Sequence, residues 1–392
     1  MCYAIPGKVV KLEGFAATIE YFDETKKAHT GLASVAVGDY VYAQGGFVIQ
    51  TVPEDEAMEI MAEWRRLFFR LRDTDRKLAA APRTLYERAN AVRQKKLGNS
   101  CCVHGILEFS SHCAANCLYC GLRRDNAAVS RYRMTEGEIL DAAEYAVKEL
   151  GFKALVLQSG EDPWYDEAKL ARIVSGILKR CPVLLIVSIG ARPLSTYAAL
   201  YKAGARGVLM RFETSDPALY GRMKPGSSLE ARLELIRGVR ELGYMVITGF
   251  LAGLPGGSNR GTFRNIRLTA ELGAEMFSFG PFIPHPQTPL AAEKLPPLGS
   301  MLDTIARTRL MNPEANILVT TALETLDKEN GAREGLMAGA NSLMINVTPV
   351  KYRRQYEIYP GRAGVEDDVP SRIQAVVKLL NSLGRAPTDI GL

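Results

Sequence analysis

With 392 residues, 47% of them hydrophobic and 23% charged, the chain has an ordinary globular composition and room for one large domain and one small one. A net charge of +6 without any basic run excludes the footprint of a nucleic-acid binder. The N-terminus lacks a secretory pattern, no apolar run reaches membrane-spanning length, and the seven cysteines, an odd number, suit a reducing interior. The expected setting is therefore the cytoplasm, with no nucleic acid and no membrane as partner.

Residues 1 to about 52 read as short strands at 8–12, 17–22 and 40–43, punctuated by Gly7, Gly14, Gly31, Gly38, Gly45 and Gly46. Pro53-Glu54-Asp55-Glu56 then opens a helix in which Ala57, Ile60, Met61, Trp64, Leu67 and Phe68 recur at helical spacing. Early acids and later arginines suit the helix dipole. A small β-barrel with a C-terminal helix is expected over residues 1–75. Residues 76–103 are charged and helical, a linker in which Pro82 marks a helix start. Cys101 and Cys102 end it as buried thiols, because no other cysteine pair exists to complete a second cluster with them.

From residue 104 to 392 strand and helix patterns alternate. Strands are expected at 105–109, 154–158, 183–188, 207–211, 245–250, 276–280, 317–320 and 342–345. Amphipathic stretches such as 135–150, 229–242 and 301–311 lie between them. Eight such units predict an α/β fold, a complete (β/α)8 barrel of the TIM type. A partial barrel of six units is the rival count.

The loop after the first of these strands carries Cys113, Cys117 and Cys120. Iron–sulfur clusters are usually held by four thiolates, so three in one short loop would leave one iron open to a small molecule. The alternatives are three unrelated buried thiols or a zinc site completed by His112, which adjoins Cys113 and would have to fold back sharply. Gln158-Ser159-Gly160-Glu161-Asp162-Pro163 ends the second strand, where a glycine lets backbone approach a ligand and Glu161 can accept from an ammonium group. Arg211-Phe212-Glu213-Thr214 closes the fourth strand. Arg211 there, and Arg232 in the next helix, can pair with a carboxylate. A structural ion pair on the barrel rim is the bland reading of Arg211 and Glu213. The glycine run from 249 to 257 lacks the Gly-Lys-Ser/Thr ending of a phosphate loop.

The cysteine spacing, with Tyr119 just before the last thiol, resembles the CxxxCxxC signature of radical-SAM enzymes. Residues 117–126, 158–163, 254–256 and 280–290, with Thr320-Thr321-Ala322, Gly339-Ala340-Asn341 and 352–361, are similar to the FeFe-hydrogenase maturase HydE family, in the biotin synthase-like branch. The resemblance runs from about residue 104 to the C-terminus. It implies reductive cleavage of S-adenosylmethionine (SAM) on a 4Fe–4S cluster held by Cys113, Cys117 and Cys120. It also implies SAM contacts from Ser159, Gly160, Glu161, Glu213 and Arg232, with Tyr119 and Arg211 beside them. Substrate contacts fall on Thr320, Thr321, Tyr352 and Arg353. The implied partners are an organometallic iron–cysteine–CO/CN precursor or another small molecule, an external one-electron reductant and other hydrogenase maturation proteins.

Residues 1–10, 37–41 and 46–49 resemble the HypC family of hydrogenase maturation chaperones. That resemblance makes Cys2, exposed by removal of Met1, an iron ligand. The alternative is a retained docking domain with an incidental Cys2. Four positions depart from the family patterns. Gln44 stands where HypC proteins usually have His; Ala191, Phe212 and Glu324 stand where HydE proteins typically have Glu, His and a small residue. A radical-SAM mutase or sulfur-inserting enzyme on an organic substrate, and a non-catalytic iron metallochaperone, are the competing readings.

Overall fold

The computed structural model describes residues 5–389. Two closed barrels account for all but two of the strands among the described residues. The first is antiparallel except for one parallel pairing. It comprises β1 (Gly7–Glu13), β2 (Ala16–Glu20), β3 (Thr25–His29), β4 (Tyr40–Gln44) and β5 (Phe47–Val52), in the order β1-β2-β3-β5-β4. Sequence patterning missed β3 because only Ala28 of Thr-Lys-Lys-Ala-His faces the core. Ile5, Val9, Ala17, Ile19, Val41 and Val48 fill this barrel, and Phe68 and Leu71 close it.

Those last two residues belong to α1 (Glu54–Leu78), which has three acids in its first turn and Arg76 and Lys77 in its last. The next helix, α2 (Leu85–Leu97), starts three residues after Pro82. Thr84 sets its start through a capping box, accepting from Glu87 N–H while the Glu87 carboxylate accepts from Thr84 N–H. This segment is clamped in place. Arg93 is fully buried and grips both Asp75 oxygens at 2.6 Å, and Arg385 reaches Asp75 and Asn90 from the other end of the chain.

The large barrel comprises eight parallel strands: β6 (Cys102–Ser110), β7 (Ala154–Ser159), β8 (Leu184–Ser188), β9 (Gly207–Leu209), β10 (Met245–Thr248), β12 (Met276–Phe277), β14 (Asn316–Val319) and β15 (Ser342–Asn346). It closes through β15 against β6, so the count is eight and the six-unit rival fails. Two rim strands, β11 (Leu251–Ala252) and β13 (Gly280–Pro281), pair separately above it. Strands β9, β10 and β12 end earlier than patterning suggests. At Gly249 a Cβ would lie 2.2 Å from the Ser278 carbonyl oxygen, so the backbones meet there without a side chain between them. The interior is packed by Val156, Ile186, Ile247, Met276 and Leu318, not open as a pore.

The small barrel sits on the N-terminal ends of the large barrel's strands. Ile49 packs with Ala154 and Leu184, the Lys153 ammonium lies 4.6 Å from the Tyr42 ring centroid, and Gly45 abuts Leu184 and Met245. The opposite, C-terminal end is thereby left free for chemistry. Among the described residues no helix is long and apolar enough to cross a membrane.

Candidate active site

The loop bearing Cys113, Cys117 and Cys120 leaves the C-terminal end of β6, and polar contacts fix its course. Arg131 donates to four backbone carbonyls, those of Ser111, Leu122, Arg123 and Asn126, at 2.7–3.2 Å. Gly121 N–H donates to the Ile358 carbonyl at 2.9 Å, and a Cβ on Gly121 would lie 2.1 Å from the Glu357 carbonyl oxygen. On the β7 side, Gly160 N–H donates to Ser110 O at 3.0 Å and Ala114 N–H to Glu161 O at 2.8 Å. Glu161 N–H points at Cys113 Sγ, 3.3 Å away. Asp162, fully buried, holds this turn by accepting from Ser110 Oγ–H at 2.7 Å and from Arg133 at 2.7 and 3.0 Å. The sequence singled out Asp162 only as part of a turn; its role is to tie β6 to β7.

These elements frame a cavity of about 290 Å³ at the C-terminal end of the barrel. Cys113, Cys117, Tyr119 and Cys120 line it together with Ser159, Gly160, Glu161, Arg211, Glu213, Arg232, Thr320 and Thr321. Residues from the ends of strands one, two, four and seven and the segments that follow them thus meet in one place. Arg232 is almost fully buried, with Nη2 3.5 Å from Glu161 Oε1, and that same oxygen accepts from Ala191 N–H at 3.0 Å. Glu213 has φ +63°, a conformation rare outside glycine, and is buried. Its Oε2 makes no hydrogen bond and lies 3.5 Å from Arg211 Nε. Backbone strain and an unsatisfied buried carboxylate oxygen at one cavity position point to a ligand.

The donors fit a cluster. Burial pushes the Cys113 and Cys120 thiols up, a penalty on the thiolate that coordination to a cation reverses. A single structural zinc would need a fourth protein ligand beside the three thiols, whereas a cluster with three thiolates leaves one iron open to a small molecule.

Two expectations are corrected. Tyr352 and Arg353 do not line the cavity. The Tyr352 ring stacks on Tyr132 and its hydroxyl donates to Glu138, while buried Arg353 donates to the carbonyls of Thr348, Gly364 and Asp367. Three to nine residues further on, Tyr356, Tyr359 and Arg362 take the wall instead. Arg362 is ion-paired with Glu108, an inward residue of β6 that also accepts from Asn346 Nδ2–H at 2.8 Å. Of the three barrel departures, none contributes a side chain to the main cavity. Phe212 is buried against Phe250, Glu324 is paired with Arg372, and Ala191 meets Glu161 only through its backbone. Cys2 lies outside the described residues. Gln44 is buried beneath the large barrel, far from this cavity, and its Nε2–H donates to Cys102 Sγ.

Comparison with known proteins agrees with this geometry. The Radical SAM superfamily model matches residues 107–263, the Biotin and Thiamin Synthesis associated domain residues 278–384, and the HupF/HypC family residues 1–64. The FeFe-hydrogenase maturase subunit HydE of Thermotoga maritima is 41% identical over 304 residues, 77% of this chain and 86% of that protein. The 3-methylornithine synthase of Methanosarcina acetivorans is 29% identical over 308 residues, 77% and 85% of the two chains. The crystal structure of methylornithine synthase, PylB, superposes with a TM-score of 0.67 at 25% identity, over 82% of this chain and 97% of that one. HydG of Carboxydothermus hydrogenoformans shares the fold, with a TM-score of 0.65 at 20% identity over 84% and 81% of the two chains. The cofactors are a 4Fe–4S cluster and SAM. The chain belongs to the HydE family of radical-SAM hydrogenase maturases, with a HypC-like barrel on its N-terminal side.

Proposed function

We propose that this enzyme acts in hydrogenase-type cofactor maturation by reductively cleaving SAM and directing the radical at an iron precursor carrying cysteine, carbon monoxide and cyanide. One observation carries the reading: a single cavity joins three cysteine thiols to a polar inner wall of Glu108, Arg362, Tyr356, Tyr359, Thr320 and Thr321. Bound cluster and SAM supply one-electron reduction and a carbon-centred radical. Cys113, Cys117 and Cys120 would hold the cluster. Glu161 and Glu213 would receive the SAM ammonium group and Arg232 its carboxylate, with Ser159 and Gly160 offering backbone and Tyr119 and Arg211 flanking them. The Glu108–Arg362 pair presents both charges that the amino and carboxylate groups of a cysteine ligand require. Thr320 and Thr321 offer hydroxyls, and Ile106, Leu318 and Met344 form an apolar floor that excludes water. The setting is the cytoplasm, with an external reductant and other maturation proteins as partners.

A second reading, radical rearrangement or sulfur insertion on a small organic substrate, draws support from the likeness to 3-methylornithine synthase, since the same charged pair suits a free amino acid. Anaerobically reconstituted enzyme, given SAM and reductant, separates the two. A synthetic iron–cysteine–carbonyl–cyanide complex should raise 5′-deoxyadenosine formation and shift the complex's infrared CO and CN bands, while a panel of amino acids should not. Stimulation by an amino acid alone would transfer the assignment to the second reading. Cys117→Ala should lose iron, sulfide and SAM cleavage together, and full cleavage in that variant would remove the cluster assignment.

A further inference from the structure

Side chains along β6 alternate between two faces. Val103, Leu107 and Phe109 join the core beneath the outer helices, while Ile106 belongs to the barrel interior and Glu108 to the functional cavity. The same inward column continues downward to His104 and Cys102, roughly 13 and 20 Å below Glu108 at about 3.3 Å per residue. The apolar layer of Val156, Ile186, Ile247, Met276 and Leu318 lies between. These two residues therefore do not belong to the SAM cavity. They face the small barrel, whose β4 ends in Gln44.

Here three buried polar side chains meet at the seam between the barrels. Gln44, Cys102 and His104 are 0%, 6% and 2% exposed. Gln44 Nε2–H donates to Cys102 Sγ at 2.9 Å, and Cys102 Sγ lies 3.4 Å from His104 Nε2. The remaining polar atoms, Gln44 Oε1 and His104 Nδ1, are buried without a hydrogen-bond partner. A stable core does not ordinarily leave two such atoms unsatisfied in one place. The spacing itself is informative. A thiolate at about 2.3 Å and an imidazole nitrogen at about 2.0–2.1 Å from one tetrahedral ion stand about 3.5 Å apart. The Gln44 amide, turned about its last bond, presents either N–H to the sulfur or its oxygen to an ion.

We infer that Cys102, His104 and Gln44 form a second metal site, at the base of the large barrel beneath the small one, for a first-row transition ion that accepts sulfur and nitrogen ligands. Cys102 Sγ and His104 Nε2 supply two ligands, and the Gln44 oxygen with the ion's own exogenous ligands would complete the sphere. Donors come from both barrels, so an ion in this seam fastens one to the other.

Cobalt(II) is the probe, because its tetrahedral thiolate complexes give ligand-field and sulfur charge-transfer bands. Reconstituted holoenzyme, its cluster checked by iron and sulfide content, is dialysed anaerobically against cobalt(II). Wild type should bind one added equivalent with a thiolate band, and its melting temperature should rise. Cys102→Ser should lose that band, and His104→Ala should bind at least about 10–100-fold more weakly, a loss seen even for outer-shell changes. Both should keep the cluster and SAM cleavage. Gln44→Leu, on the other barrel, guards against misfolding of the β6 variants and should weaken cobalt without touching the cluster. No added equivalent in wild type, or an unchanged thiolate band in Cys102→Ser, would overturn the site.

Discussion

At the scale of single residues, Glu213 carries the most information. A non-glycine residue at φ +63° whose carboxylate is buried beside Arg211 stores an unfavourable backbone and an unsatisfied oxygen at the cavity wall. A bound ammonium group would relieve the second of these. Glu213→Ala and Arg232→Ala should each cost about 1.5–3 kcal/mol of SAM binding, or about 10- to 150-fold in Kd, while leaving iron and sulfide content intact. Anaerobic SAM titration measures this, and unchanged affinity in both variants would make them structural rim charges. Glu108 and Arg362 show where reading residues one by one stops. They are 254 residues apart in the chain, and neither sits in a recognisable motif. The run from Tyr352 to Gly361 did signal a wall of the site, but its helical and turning backbone sends Tyr352 and Arg353 outward and Tyr356 and Tyr359 inward.

At the scale of elements, the turn after β7 depends on one ion pair. Burial opposes charge on Asp162, but hydrogen bonds from Arg133 and Ser110 outweigh it and hold the carboxyl below its ordinary 3.8. The unfolded chain therefore binds the proton more readily than the folded one. Asp162 contributes stability that is present above the unfolded pKa and is lost as pH falls below it. Asp162→Asn should lower stability at neutral pH and flatten the acid limb between about pH 5 and pH 3 in denaturant titrations. A variant with the wild-type acid limb would show that the pair is not linked to folding. Strand boundaries were less legible than strand existence. β6 starts at Cys102, three residues before its apolar pattern suggests, because the stretch containing Cys102 and His104 looks like the end of a linker until β15 is seen beside it. That offset hid the seam cluster.

At the scale of the molecule, the helix of the small barrel, the linker helix α2 and the segment around Arg385 are fastened through Asp75. Its carboxylate lies between Arg93 and Arg385, all three almost fully buried, with Arg309 near enough that burial and these two guanidiniums hold its own pKa near 9. Removing the one acid leaves buried positive charges uncompensated, so Asp75→Asn should destabilise the protein by about 3–5 kcal/mol. A shift in the urea or thermal midpoint with cluster content unchanged before unfolding measures it. A loss below about 1 kcal/mol, the range of exposed pairs, would refute the clamp.

The sequence by itself determined the local chemistry: the three-cysteine loop, the glycine–acid turn after β7, the alternation that builds an eight-unit barrel, and the likeness of both parts to hydrogenase maturation families. Such features are legible because loop spacing, turn residues and periodicity are properties of neighbouring residues. Only the tertiary structure decided which face of the 352–362 run enters the cavity, that Glu108 pairs with Arg362, and that Phe212 and Glu324 turn away from the cavity. It also decided that Gln44 of one barrel meets Cys102 and His104 of the other. Each of these is a contact between residues far apart in the chain. Barrel closure and the docking of one barrel on the base of another set such contacts, and no local pattern encodes them.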